Sequence, residues 1–468
     1  MNAPARFAAL EALLAQRTNF ERTPPARGFE LERVREVSRR LGEPGHAYPV
    51  VHVAGTCGKG TTAALAAAAA DLAGLRVGLT TSPHLVCLRE RVRLGPAPAS
   101  DERWLAAARE VLAAEDPREP LTYFELVVLV ALVAFRAAQV DLAVVEVGLG
   151  GRLDATRVVA PTVCAIARIA RDHTELLGHD EASIAAEKAG ILVPGVPVVA
   201  APGHPEAARV IAARAAELGC PLWSLGDELG SEPAPSEPSP SAPAQGGLRV
   251  RWPGGEVRCP TGPDHLGGDA PPGWEANLAL AAGALARLTP SLGGAPLAAL
   301  PAAASALRWR GRFEVVTGAP GGPPESQPVV VLDGAHDAVA AAALRAAWER
   351  RFGATRAQLM FALAREKDRA GVIAALAPLA AEVTVCAIHG ARSADPAELA
   401  AAFRALGVAA TTEVEPERAL AAALARARAE GRPLLVCGSL HLTGWVLGAL
   451  GEDVRAAWGG AKPSSARS

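Results

Sequence analysis

Aromatic side chains are scarce: Phe, Trp and Tyr make up 4% of the 468 residues, with two Tyr in all. Half of the residues are nevertheless hydrophobic, so the interior has to be built from Ala, Val and Leu, as in parallel sheets covered by helices. A basic surplus is also missing. Lys and Arg number 47 against 49 Asp and Glu, a formal charge of -2, which removes the electrostatic case for a nucleic-acid partner. Seven cysteines (Cys57, Cys87, Cys164, Cys220, Cys259, Cys386, Cys437) stand singly, with no CxxC pair. That argues against a zinc site and for a reducing compartment. The longest strongly apolar run of large side chains, Leu126 to Phe135, is too short to span a bilayer. The opening MNAPARFAALEALLAQR is interrupted by Glu11 and has no continuous apolar segment of the signal-peptide kind. A cytoplasmic protein without membrane contact is expected. The length exceeds one typical core and points to two or three domains.

What the chain does have is VVHVAGTCGKGTT, Val50 to Thr62. A β-branched run stops at Gly55, three glycines (Gly55, Gly58, Gly60) follow, and an Ala-rich helical pattern begins at Thr61. Strand, tight loop and helix N-terminus in this order present backbone N–H groups and partial positive charge to a phosphate. Lys59 adds a full charge, and Thr61 a hydroxyl for a metal ion. The usual Walker spacing is not kept, because Val53 stands where the first glycine belongs and Gly60 displaces the hydroxyl.

Other strands deliver polar residues in the same way. VGLT (Val77 to Thr80) leads into TSPHL, where Ser82 can reach a metal at the carboxyl edge at which doubly wound sheets bind ligands. Glu146 ends a buried strand within DLAVVEVGLGGRLDAT, and a carboxylate there is costly unless it is ion-paired or bound to metal. PTVCAIARIARDHTELLG carries Asp172 and His173 to a strand end; alone, His173 reads as a hydrogen-bonded loop residue. Oxygen and nitrogen donors of this kind suit Mg²⁺ or Mn²⁺ better than zinc. Thr122 and Glu125 have the spacing of a capping box, which needs no function, and a substrate role is equally open. Lys188 lies on a helix over Glu181 to Ala189 and reads by itself as a solvated lysine. Helices are also expected at Phe7 to Leu14, at Leu31 to Leu41 with its charges on an outer face, at Asp101 to Ala114, and at Trp274 to Leu288. Ser231 to Gln245 is Pro/Ser-rich and reads as a disordered insertion. From about residue 301 a second α/β unit runs to 458, after a first domain of 1–300. The tail 459–468 reads as disordered.

Assembled, the blocks AGTCGKGTT, TSPHLVCLRERVRL, LTYFE, VEVGLGGRLDAT, DHTELLG, EKAGI, GRFE, LDGAHD and GSLHLTG resemble, in family order, the bifunctional dihydrofolate synthase/folylpolyglutamate synthases of the Mur-type ligases. The likeness runs from Gly28 to Gly444. It implies a P-loop-type, mostly parallel sheet domain with helices on both faces, followed by a smaller Rossmann-like α/β domain. It implies an ATP-dependent ligase that adds L-glutamate to dihydropteroate and to reduced folates through an acyl phosphate; the oligomeric state is not readable from the sequence, and a monomer is the default expectation.

By resemblance, Gly55, Thr56, Cys57, Gly58, Lys59, Gly60 and Thr61 hold phosphates. Thr61, Ser82, Glu146 and His173 surround two Mg²⁺ ions, with Mn²⁺ as an alternative. Lys188 matches a lysine that this family carries as a carbamate, and Lys59, Glu146, His173 and Lys188 form the catalytic set. Asn277 matches an adenine-side contact, Arg312 and Asp333 match nucleotide contacts, and His336 a position near the phosphates. The pterin region is matched by Thr122, Tyr123, Phe124, Glu125, Leu153, Asp154 and Ala155, and more weakly by Gly28, Phe29, Glu30 and Leu31. Three departures stand out: Cys57 for the loop asparagine, Arg157 for the asparagine after DAT, and Asp337-Ala338 for Asn-Pro. The alternatives are a P-loop ATPase or kinase, and a ligase acting on a cell-wall UDP-sugar peptide.

Overall fold

The computed structural model describes residues 3–20, 30–234, 247–263, 266, 270–316, 328–388, 393–451 and 457–458. The chain divides into two units, one of residues 1–268, 275–308 and 455–468, the other of residues 269–274 and 309–454.

The first unit is built on an eight-stranded sheet. Its strands are β1 (Val50–Ala54), β2 (Val77–Thr80), β3 (Val92–Leu94), β4 (Ala97–Pro98), β5 (Leu142–Glu146), β6 (Val163–Ile166), β7 (Val198–Ala200) and β8 (Leu222–Ser224). They lie in the order β4-β3-β2-β5-β1-β6-β7-β8. From β2 through β8 every pairing is parallel, while β3 and β4 add an antiparallel edge. The strands β1, β2, β5, β6 and β7 are buried throughout. They read as continuous apolar runs because helices cover both faces. The helix Tyr123–Ala137 is buried along nearly its whole length, from Tyr123 to Phe135 with Phe124 as the exception. Each large aliphatic side chain removed from water there contributes about 1.5–3 kcal/mol.

A small antiparallel sheet follows, from β9 (Gly230–Ala234), β10 (Gly247–Trp252) and β11 (Gly255–Pro260). The expected insertion 231–245 is therefore corrected at its start: residues 231–234 are paired with β10, and 235–245 lie outside the described residues. Proline at 233 is tolerated because β9 is an edge strand.

The second unit holds a six-stranded sheet of β12 (Glu314–Val316), β13 (Val330–Leu332), β14 (Ala357–Phe361), β15 (Ala380–Val385), β16 (Ala409–Thr412) and β17 (Leu434–Cys437). The order is β12-β13-β17-β14-β15-β16, parallel except for β12. The expected boundary at 301 falls inside the helix Ala295–Ala306, which belongs to the first unit. At the other end, Ala457 and Trp458 also belong to the first unit rather than the second. The Trp458 indole is 1% exposed and its Nε1–H donates to Asp71 Oδ2 at 2.8 Å. Residues 459–468 lie outside the described residues.

Candidate active site

Four adjacent parallel strands, β2, β5, β1 and β6, end at the same edge of the first sheet. Ser82 follows β2, Glu146 ends β5, the glycine-rich loop follows β1, and His173 follows β6. Topology thus brings all four expected metal ligands to one edge, since Thr61 sits in the first turn of the helix Lys59–Leu72. Glu146 is 6% exposed and its Oε2 accepts the Ser82 backbone N–H at 3.0 Å. A carboxylate at a buried strand end is a hard oxygen donor of the kind Mg²⁺ and Mn²⁺ take. His173 occupies the left-handed region (φ 49°), with its Nε2 3.6 Å from Asp172 Oδ2. Among the described residues no group of three or more His, Cys, Asp or Glu gathers as a metal cluster. The donor set at this edge is Thr and Ser hydroxyls with one carboxylate and one imidazole, which fits ions that also take phosphate oxygens.

The loop itself is pinned from three sides. Gly55 (φ 144°) lies so close to β6 that a Cβ there would stand 2.7 Å from Ala167 Cβ. The N–H groups of Thr56 and Cys57 donate to the Arg168 carbonyl at 2.8 and 3.1 Å. They are thereby committed to the fold, and the loop donors expected for phosphate reduce to the helix's first turn from Lys59, whose N–H groups no helical carbonyl can reach. The Lys59 Nζ donates to Thr56 O at 3.3 Å. Asn277 closes the third side. A Cβ on Gly58 would stand 2.0 Å from its Oδ1, which accepts the Thr62 hydroxyl at 3.4 Å. The side chain expected near adenine therefore supports the loop backbone.

Lys188 is not a solvated lysine. It is 4% exposed and its Nζ donates to Gly55 O at 2.8 Å. Burial and the charge of Lys59 pull its pKa down to about 7, against the opposing pull of Asp172. Its helix is locked to the turn after β5. Arg152 N donates to Glu187 O at 2.9 Å, and a Cβ on Gly151 would meet the Glu187 and Lys188 carbonyls at 2.8 and 2.9 Å. Arg157, the departure after DAT, ties the same two segments together through an Nη1 bond to Ile191 O at 3.0 Å. VEVGLGGRLDAT and EKAGI, far apart in sequence, are one structural piece.

Within that turn Asp154 is a hub. It is 5% exposed; Oδ2 accepts the Leu149 N–H at 2.9 Å and Oδ1 the Thr156 N–H at 2.9 Å, with the Thr156 hydroxyl also donating to Oδ1. Burial raises its pKa against those bonds. The Thr156 hydroxyl, whose hydrogen is engaged by Asp154, accepts from His52 Nε2–H at 2.9 Å. Burial holds that imidazole neutral, with its pKa lowered to about 3.

In LTYFE, Thr122 and Glu125 do form the capping box, with Thr122 N to Glu125 Oε2 at 2.7 Å and Glu125 N to Thr122 Oγ1 at 3.3 Å. Arg33 completes it with a two-pronged pairing to Glu125 at 2.9 Å on each prong. Arg33 was expected on an outer charged face; the buried Glu125, which needs a cation, was the signal for it. Tyr123 packs in the core, with the Arg91 guanidinium 5.2 Å from its ring centroid. Arg91, itself 1% exposed, donates from Nε to His84 Nδ1 at 2.8 Å. Phe124 and Leu153 remain partly exposed, and Ala155 is buried. Leu31 is buried and Glu30 exposed, while Gly28 and Phe29 lie outside the described residues.

In the second unit, Asp333 follows β13 and accepts the Phe313 and Ala335 N–H groups, each at 2.8 Å. Burial raises its pKa and the Arg312 cation opposes that rise. His336 Nδ1 donates to Gly334 O at 2.6 Å. Asp337 caps the helix Ala338–Phe352 by accepting Ala340 N–H at 2.8 Å, so the turn survives its departure from Asn-Pro.

Comparison with known proteins gives the family. Residues 311–440 match the Mur ligase, glutamate ligase domain family. A FolC of Escherichia coli in complex with DHPP and ADP is 30% identical, with a TM-score of 0.79 over 95% of this chain and 97% of that one. The chain belongs to the folylpolyglutamate synthase/dihydrofolate synthase family of Mur-type ligases. Other family structures are as similar. Folylpolyglutamate synthase of Mycobacterium tuberculosis complexed with ADP gives a TM-score of 0.82 at 28% identity, over 97% of this chain and all of that one. The bifunctional enzyme of Yersinia pestis complexed with AMPPNP and Mn ion gives 0.77 at 31%, over 95% and 98%. Among curated sequences, a probable bifunctional folylpolyglutamate synthase/dihydropteroate synthase of Haloferax volcanii is 34% identical over 88% of this chain and 47% of its own length. The dihydrofolate synthase/folylpolyglutamate synthase of Escherichia coli is 44% identical over 42% of this chain and 46% of its own. The matches thus span about half the length of these curated family members.

Proposed function

We propose that the protein is an ATP-dependent ligase that joins L-glutamate to dihydropteroate, and to reduced folates, through an acyl phosphate. The observation that carries this is the shared carboxyl edge of β2, β5, β1 and β6, which assembles Lys59, Thr61, Ser82, Glu146 and His173 from four separate sequence blocks. In the reaction an acceptor carboxylate oxygen attacks the γ-phosphorus of ATP and ADP leaves. The glutamate amine, having lost its proton, attacks the acyl carbon, and phosphate leaves as the amide forms. Neither step needs a nucleophile from the protein, so its task is to bring two anions together and balance the growing charge.

Lys59 and the first-turn amides after Gly58 hold the terminal phosphates. Glu146, His173, Thr61 and Ser82 would hold the divalent ions, Mg²⁺ or Mn²⁺, whose contribution when bound is to neutralise the oxygens that meet during transfer. Lys188, buried beside the loop with a pKa near 7, is a free amine in good part at neutral pH. It is therefore open to CO₂ and to serving, as a carbamate, as a further anionic group beside that edge. Phe124, Leu153 and the turn around Asp154 line the acceptor's pterin region. Asn277 serves the nucleotide through the loop it supports. The seven free cysteines suit a reducing cytoplasm, and among the described residues no helix is long and apolar enough to cross a membrane.

The test is a four-component incubation of ATP, Mg²⁺, dihydropteroate and L-glutamate. ADP and phosphate are expected only when acceptor and amino acid are both present. Phosphate release without glutamate would instead support a P-loop ATPase, and preference for a UDP-sugar peptide the cell-wall branch. Addition of ¹³C-bicarbonate should give a carbamate carbon resonance that is absent from Lys188→Ala.

A further inference from the structure

Phe124 breaks the pattern of its helix. From Leu121 to Phe135 all the other residues are buried, yet Phe124, the second residue of the helix, is partly exposed. Its covered side rests on backbone. A Cβ added to Gly148 would lie 2.4 Å from Phe124 Cζ and 2.8 and 2.9 Å from the two Cε atoms, closer than non-bonded carbons approach. Gly148 is not among the glycines with positive φ, so conformational freedom does not explain it. Space for the ring does.

The height of that backbone is also fixed. Gly148 stands two residues after Glu146, and the N–H of the next residue, Leu149, donates to the buried Asp154 carboxylate. Asp154 is in turn held by Thr156 and, through the Thr156 hydroxyl, by His52. A chain of buried polar contacts thus runs from β1 to the underside of one aromatic ring.

We propose that Gly148 is the seat of Phe124, a positioning residue that sets the height at which the ring is presented to a planar, fused-ring acceptor. This rests on the functional reading in one respect, that the acceptor's ring system lies on the exposed face of Phe124. A ring seated on bare backbone cannot retreat, so it offers a flat heteroaromatic acceptor a stacking surface of fixed height. Gly148 contacts no substrate itself; its effect is transmitted wholly through the ring.

A double-mutant cycle on the full chain separates this role from a general structural one. Gly148→Ala should raise KM for dihydropteroate by about tenfold or more, while KM for ATP stays within about twofold. Phe124→Leu should raise the acceptor KM to a similar degree. Added to Phe124→Leu, whose smaller side chain makes room for a methyl group, Gly148→Ala should cost nothing further, and the double variant should melt with Phe124→Leu even where Gly148→Ala alone folds poorly. An unchanged acceptor KM in Gly148→Ala, or an undiminished penalty in the Phe124→Leu background, would overturn the proposal and leave the ligase reading standing. Failure of the unmodified protein to ligate dihydropteroate at all would remove both.

Discussion

Lys188 shows how far the setting of a residue can change its chemistry. In a helix with ordinary spacing its sequence position suggests a solvated cation, yet it is buried against Gly55 O with Lys59 nearby, and its pKa falls to about 7. Lys188→Ala is expected to lower ligation at least about a hundredfold with little change in melting temperature, and short carboxylic acids should restore part of the rate by supplying the missing anion. Glu146→Gln keeps the shape but removes the charge, and ligation assayed with saturating ATP should fall by a similar factor. His52 makes a pH prediction. Its folded pKa, about 3, lies below the ordinary value of 6.5, so the unfolded chain binds the proton first as pH falls. Stability is then fully present above pH 6.5 and is lost toward pH 3, by up to about 1.4 kcal/mol per unit of pH. Thermal melts between pH 7 and 5 should show a shallower slope for His52→Gln, whose side-chain amide can still donate to Thr156; equal slopes would contradict this.

At the scale of the element, the Tyr123–Ala137 helix depends on its first turn. Thr122 and Glu125 satisfy each other's backbone N–H groups, and Arg33 neutralises the buried carboxylate. Thr122→Ala should cost about 1 kcal/mol. Arg33→Ala should cost more, about 2–3 kcal/mol, because it strands a charge that is mostly out of water; urea unfolding measures both. Much of this level was legible beforehand. The capping-box spacing, the runs of β-branched residues and the Asp101–Ala114 periodicity all stated their structure locally. What was not legible depends on contacts remote in sequence. The Arg33 partnership spans two helices, the committed amides of Thr56 and Cys57 depend on an Arg168 carbonyl across β6, and the need for glycine at 148 exists only because Phe124 lies over it. A Pro/Ser-rich composition likewise hid β9, whose pairing is supplied by β10.

For the whole molecule, the shared edge of the candidate site was legible because parallel topology forces the carboxyl ends of neighbouring strands to one edge, whatever separates them in sequence. The division into units was less so: the boundary fell after the helix Ala295–Ala306 rather than within it, and Ala457 and Trp458 rejoin the first unit. Trp458 is therefore expected to stabilise that unit. Trp458→Ala should cost about 3 kcal/mol or more, visible in calorimetry as a lower transition for the first unit with the second unchanged. The central claim, that Thr61, Ser82, Glu146 and His173 form one ion site beside Lys59, is tested most directly by a crystal structure with a non-hydrolysable ATP analogue and Mn²⁺, located by anomalous scattering. Peaks in direct contact with Glu146 and His173 and with the analogue's terminal phosphates are expected. Peaks held by other side chains, with Glu146 and His173 turned away from the phosphates, would contradict it.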